Sequence, residues 1–352
     1  MPDITPFLKE LITAPGLSGY EGPVAALIED RWRPLVSELS HSRLGSIHGF
    51  LRGTGTSPRP SIMVAAHMDA IGLMVNGIAE GGFLRISQVG SVDPRVLPGQ
   101  PVTVHGREAI LGVIAQPPAK LLPPEIGANP VPLEYLFVDI GLPEKKVAGL
   151  VRVGDLISFA TEPTEMDGDL LAGHSLDNRV SVAALTLCLE ELQSRPHVWD
   201  VWAVATIREE VGLIGAYTSA FQLRPDLALV IDVTWAKAPG ASDWNTYPLG
   251  KGPTLVMGAN IHPAVFKNLK ELAEKLEIPH AIEYAPRHSG TDAFATQVTA
   301  EGIPSGVICI PLRYMHTPVE MVALKDIQRA GRLITEFITS LTVDFMDKVT
   351  WE

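Results

Sequence analysis

The chain has 352 residues, 46% of them hydrophobic and 19% charged, with a formal net charge of −12. That length and apolar content can bury a large core and suit one large domain with a smaller one. The acidic balance excludes a nucleic-acid surface, which needs clustered Lys and Arg, and no apolar run approaches the roughly 18 residues of a membrane span.

In chain order, the start MPDITPFLKELITAPG lacks a basic region followed by an apolar one, so a cytoplasmic protein is expected. ITPFLKELI predicts a helix, and a Gly/Ser turn separates it from a second helix at about 24–32. SIMVAAH, a short continuous apolar run, predicts a fully buried strand. From about Gly72 to Ala160 come short Val/Ile-rich pieces (FLRISQVG, QPVTVHG, AILGVIA, YLFVDIG, GDLISFA) punctuated by Gly and Pro, an all-β signature. We expect an inserted β-barrel-like domain over 71–161 that interrupts a main domain of 1–70 and 162–352. Within the insert, Pro117 to Pro132 is too proline-rich for a strand and reads as a long, mobile loop.

After Thr161, helices and strands alternate. Helices are predicted over 178–192, near 212–219, and over 263–276, 292–300 and 325–341, with strands at 198–207, LALVID, HAIEYA and GVICI. Val182, Leu185, Leu189 and Leu192 give the first of these helices an apolar stripe, and Ile327, Ala330, Ile334, Phe337 and Leu341 do the same for the last. The fold class is therefore α/β: a mixed, mostly parallel sheet covered by helices on both faces, with the small β domain inserted. Cys188 and Cys309 fall in a helix and an apolar strand, and both are expected to be buried thiols rather than ligands.

Five apolar segments end in, or shortly precede, metal-capable side chains. SIMVAAHMD supplies His67 and Asp69, AVATIREE supplies Glu209 and Glu210, and LALVID supplies Asp232. GVICIPLRYMH supplies His316, and AGHSLDN places Asp177 where a helix begins. Adjacent carboxylates such as Glu209 and Glu210 repel unless something positive lies beside them. In open α/β sheets ligands gather beyond the carboxyl ends of the strands, so these groups can converge around that charge. Two imidazoles and several carboxylates without a thiolate suit a hydrolytic zinc or cobalt centre. Five residues, one of them bridging, would hold two cations about 3.5–4 Å apart. Singly, each residue has a simpler reading as a helix cap, turn former, satisfied histidine or solvated pair, but their common placement at element ends is hard to assign to chance.

The motifs HMDAIGLMV, GHSLDNRVSVAAL, IREEVGLIGA, VIDVT, SGTDAFATQ and PLRYMHTPVE resemble, in order and spacing, the tetrahedral aminopeptidases, the glutamyl and leucyl aminopeptidase family of di-zinc exopeptidases, some members of which carry the name endoglucanase. The resemblance spans essentially the whole chain, and it implies a metal-dependent aminopeptidase acting on peptides, with two divalent ions, Zn2+ or Co2+, per subunit. It implies His67, Asp177 and Asp232 on one ion, Asp177, Glu210 and His316 on the other, Glu209 as general base, and Asp69 as the group that orients His67. It also implies a cis peptide after Asp177, and dimers through the β insert that build a hollow tetrahedral dodecamer. GTDA, Gly290 to Ala293, opens a helix whose backbone N–H groups either line the substrate pocket or are simply capped. His174, Arg208, Arg287 and His288 stand near the motifs, and whether they select the substrate's first side chain stays open. Two alternatives fit less well: a glycosidase would leave the histidines unused, and a non-catalytic interaction module would have lost ligands.

Overall fold

Parallel strands buried on both faces read as continuous apolar runs, and four such runs form the centre of the fold in a computed structural model that describes residues 2–127 and 129–350. Side by side they are Asp200–Thr206, Ser61–His67, Leu227–Trp235 and Ser305–Arg313, all parallel. Alternate residues of each strand point to opposite faces, which creates two separate cores. Ile62, Val64 and Ala66 pack with the helices Thr5–Thr13, Gly22–Trp32, Leu176–Leu192 and Leu324–Ser340. Met63 and Ala65 face the other way, toward Ala220 and Ala293 on the helices Ile214–Leu223 and Asp292–Gln297. The chain forms the expected mixed sheet with helices on both faces, parallel at its centre.

Seven further strands, all but one of them joined by antiparallel pairing, complete the sheet to eleven among the described residues. A hairpin of Glu38–His41 and Ile47–Leu51 adds to one side, while Glu320–Ala323, Leu170–Gly173 and Thr164–Met166 add to the other. Thr254–Gly258 also pairs with Ser305–Arg313 and carries Ala281–Ala285 on its outer side. Of these outer strands the sequence pattern predicts only Ala281–Ala285, because pieces such as ELSH and TEM stay largely exposed and lack an apolar alternation.

Six strands close into an antiparallel barrel in the order Gly72–Ile78, Leu84–Val89, Phe137–Asp139, Ala109–Ala115, Pro101–His105 and Leu156–Phe159. Leu73, Val75, Leu84, Val102, Ile114, Val138 and Ile157 fill its interior as a core of their own. In the proline-rich segment Ala119–Leu121 makes one 3-10 turn, and residue 128 lies outside the described residues. Among the described residues no helix is long and apolar enough to cross a membrane.

One buried cation ties the N-terminal segment to the sheet. Arg179 is 1% exposed, and its guanidinium donates to the carbonyls of Leu11, Ala14, Gly16 and Met68, the last immediately after His67. Gly16 is required there, since a Cβ would lie 2.5 Å from Arg179 Nη2. Lysine keeps the charge but not the planar fork, so Arg179→Lys leaves carbonyls unpaired. Denaturant unfolding of Arg179→Lys should show a loss of about 2–4 kcal/mol.

Candidate metal centre

Strand register brings the predicted residues to one rim of the sheet. Thr206 pairs with His67 and Val230 with Ala65, so two residues further on Asp232 comes level with His67. Glu209 and Glu210 lie in the turn beyond the first of these strands, and His316 lies in the turn after Ser305–Arg313. Asp177 arrives from the helix side. The helix starts at Leu176 rather than 178, but Asp177 and Asn178 themselves have non-helical dihedrals and the peptide between them is cis.

The two histidines face different oxygens of Asp177. His67 Nε2 lies 3.2 Å from Asp177 Oδ1, and His316 Nε2 lies 3.4 Å from Asp177 Oδ2. His67 Nε2 is also 3.8 Å from Asp232 Oδ1 and from Glu209 Oε2, while His316 Nε2 is 3.5 Å from Glu210 Oε2. Three sets of donor atoms each fall within 4.8 Å of one another: His67, Asp177 and Asp232; Asp177, Glu210 and His316; and His67, Glu209 and Glu210. All seven residues named from the sequence are thus gathered, six at the cluster and Asp69 directly behind it.

Asp69 is fully buried, and it does more than orient an imidazole. Its backbone carbonyl lies 3.1 Å from His67 Nδ1, and its carboxylate accepts the Ser18 hydroxyl at 2.6 Å. The same carboxylate accepts the N–H of Glu209 at 3.0 Å and of Glu210 at 3.3 Å, so it fixes the turn that carries both glutamates. Glu320 plays the corresponding part on the other side. It is 1% exposed and accepts the N–H of Asp177 at 3.0 Å and of His316 at 3.1 Å. Sequence reasoning misses Glu320; the available signal is a lone acid at the head of the apolar run EMVAL. It misses Asp292 too. Thr206 donates its hydroxyl to Asp292 Oδ2, while Asp292 Oδ1 has no partner among the described residues. Ser175, Arg208 and His316, which flank these groups, all hold left-handed backbone at φ 58, 54 and 63.

The protein's own charges do not balance at this rim. Burial pushes the Glu209 carboxyl up to about 9, with Asp232 and Asp292 adding to the rise. Burial likewise drives Asp232 up to about 8 and Asp292 to about 6, and holds Glu210 well above the usual carboxylate range. Burial also works against the ionised Asp177, yet hydrogen bonds to His316 and His67 pull its carboxyl down. His67 is raised despite its burial, first by the charge of Glu209. Among the described residues no lysine or arginine lines the cleft. A crowd of buried carboxylates with two imidazoles, no thiolate and no basic side chain is a donor set suited to divalent cations.

The cleft above this cluster has a volume of about 650 Å³ and is walled by Leu213, Tyr217, Thr234, Trp235, Glu283 and Phe294, among others. Thr291 caps the helix Asp292–Gln297 by accepting the N–H of Ala293 at 3.3 Å, and it lines the cleft as well. His288 is also in the wall, with its ring 5.2 Å from that of Phe294. His174, Arg208 and Arg287 are not: His174 is buried against the Ser175 hydroxyl, the Arg208 backbone bonds Glu21, and Arg287 is exposed. The barrel contributes Ser91 to the wall, and the N–H of Asp93 donates to the carbonyl of His316 at 3.4 Å.

Known proteins are similar to this chain in sequence and in architecture. The family model described as M42 glutamyl aminopeptidase matches residues 45–333. The chain is 33% identical over 341 residues to the lysyl aminopeptidase of Pyrococcus furiosus, covering 95% of this chain and 96% of that one. Its structure is similar to the TET aminopeptidase of a marine sediment Thaumarchaeota archaeon, with a TM-score of 0.93, 31% identity and 99% of each chain covered. It is also similar to the Pyrococcus horikoshii TET1 peptidase, which can assemble into a tetrahedron or a large octahedral shell, with a TM-score of 0.84 and 29% identity over 96% of this chain and all (100%) of that one.

The carboxylate of Glu320 yields a test of the scaffold. In Glu320→Gln an amide N–H₂ faces the donors of Asp177 or His316, so cation affinity should drop by about 10–100-fold while the fold persists. Calorimetric titration with Zn2+ or Co2+, with circular dichroism as the control, measures this.

Proposed function

The chain belongs to the M42 glutamyl aminopeptidase family and is a metal-dependent aminopeptidase, and on that premise we propose that it removes N-terminal residues from peptides with a pair of divalent cations shared across Asp177. In this reading His67, Asp177 and Asp232 hold one Zn2+ or Co2+, and Asp177, Glu210 and His316 hold the other. The observation that carries it is the division of Asp177, one oxygen facing each histidine at 3.2 and 3.4 Å. When bound, two such cations polarise the scissile carbonyl and lower the pKa of the attacking water, which together are worth several kcal/mol.

The chain's own residues do the rest. Glu209 takes the proton from the attacking water and passes it to the leaving amine. Burial, with the charges of Asp232 and Asp292 added, holds its carboxyl up at about 9, and neighbouring dications bring such a group back toward ionisation at neutral pH. Asp69 keeps Glu209 and Glu210 in register by accepting both of their N–H groups. The free α-amine of the peptide lies against this carboxylate-rich end, which limits cleavage to the first residue.

We extend the reading to assembly and location. Self-association through the barrel is supported by apolar side chains left on its surface, Leu111 at 73% exposure and Leu121 at 69%. Dimers made there are the units of a tetrahedral dodecamer that admits peptides and excludes folded proteins. The free thiols Cys188 and Cys309 suit the cytoplasm.

Elemental analysis and steady-state kinetics test the centre together. Glu209→Gln should keep two ions per chain and lose about 10²–10⁴-fold in turnover, whereas Asp177→Ala should lose the ions as well. A Glu209→Gln enzyme with normal kcat would remove Glu209 from its role. Leu111→Asp puts a charge in the proposed contact, and sedimentation should show the assembly shifted toward smaller species.

A further inference from the structure

Glu283 is a carboxylate held in the cleft wall without a cation. It lies on strand Ala281–Ala285, and its two oxygens accept the hydroxyls of Thr234 at 3.0 Å and Thr254 at 2.7 Å. Burial raises its carboxyl, while those two bonds fix its direction and favour its ionised form. Among the described residues no lysine or arginine acts on it, and none lines the cleft.

Its position relative to the cation cluster follows from one strand. Thr234 lies two residues beyond Asp232 on the same face of Leu227–Trp235, about 7 Å along the strand. Glu283 is hydrogen-bonded to that threonine, so its carboxylate sits about that far from the cluster, on the side of Trp235. An extended lysine side chain carries its ammonium about 6 Å from Cα, five bonds of about 1.5 Å in zigzag. Trp235, 52% exposed and lining the same cleft, offers an apolar face to the aliphatic stem and a π face to the charge.

We infer that Glu283 selects peptides whose first residue is lysine or arginine, by pairing with the cationic end of that side chain. The inference rests on the aminopeptidase reading above and adds the substrate class to it. An acidic first residue is disfavoured by the same carboxylate, and an aliphatic one leaves Glu283 desolvated and unpaired.

The test compares lysyl, arginyl, leucyl and glutamyl coumarin amides on the cation-loaded enzyme and on Glu283→Gln, a change that keeps shape and removes charge. The native enzyme should prefer the lysyl and arginyl reporters over leucyl by about tenfold or more, with glutamyl lowest. Glu283→Gln should lose about tenfold in kcat/KM on the basic pair, chiefly through KM, with no matching loss on the leucyl reporter. A native preference for leucyl or glutamyl, or an equal loss on all four reporters, would overturn the assignment. Thermal shift with L-lysine and L-norleucine, which differ in the terminal ammonium, reads recognition apart from turnover. No hydrolysis of any reporter, together with a larger shift for lysine that vanishes in Glu283→Gln, would sink the reaction class and support the role of Glu283. Equal shifts for the two amino acids in the native protein would overturn that role.

Discussion

Like charges crowded away from water are the constraint on which this molecule is built. Asp177, Glu209, Glu210, Asp232 and Asp292 gather at one end of the parallel strands, where burial works to raise every one of these carboxyls and Asp177, hydrogen-bonded to both histidines, still ends below its usual range. Such an arrangement is costly without compensating positive charge, and among the described residues the basic groups within it are the imidazoles of His67 and His316. A protein that folds this way commits its stability at the rim to an external cation, and the metal-dependent chemistry of its family is the use made of that commitment.

The surroundings of the cluster hold acids in place by making them accept backbone N–H groups. Asp69 grips the Glu209–Glu210 turn, and Glu320 grips Asp177 and His316. Arg179 stands behind both, its charge acting on Asp69 and Glu320 while its guanidinium closes four carbonyls of the N-terminal segment and the His67 loop. Left-handed backbone at Ser175, Arg208 and His316 costs of order 1–3 kcal/mol per residue and persists because such contacts over-determine it.

Much of this is legible in the sequence, because a parallel strand advertises itself. The apolar runs before His67, Asp232 and His316 reveal both the strand and the end from which the side chain projects. Asp177 stands out where a helix begins. Glu320 and Glu283 are harder to see, since Glu320 heads a strand of only four residues and Glu283 sits on a short strand whose neighbours are only partly buried, where a charged residue looks like ordinary surface. Their roles depend on pairing across the sheet, with partners as remote as Asp177 and Thr234, and no local period encodes that. The edge hairpin and the strands Thr164–Met166 and Leu170–Gly173 escape for the same reason: their stability comes from neighbours rather than from an apolar pattern.

The barrel is stitched into the chain just past His67, at Gly72, and it returns shortly before the segment that leads to Asp177. Its loop also supplies Ser91 to the cleft and ties Asp93 to the backbone of His316. The insertion is therefore masonry as well as mortar. Whatever grips its outer surface pulls on the same backbone that seats His316, and a chain stripped of it would be left with a breached cleft rather than a smaller complete one.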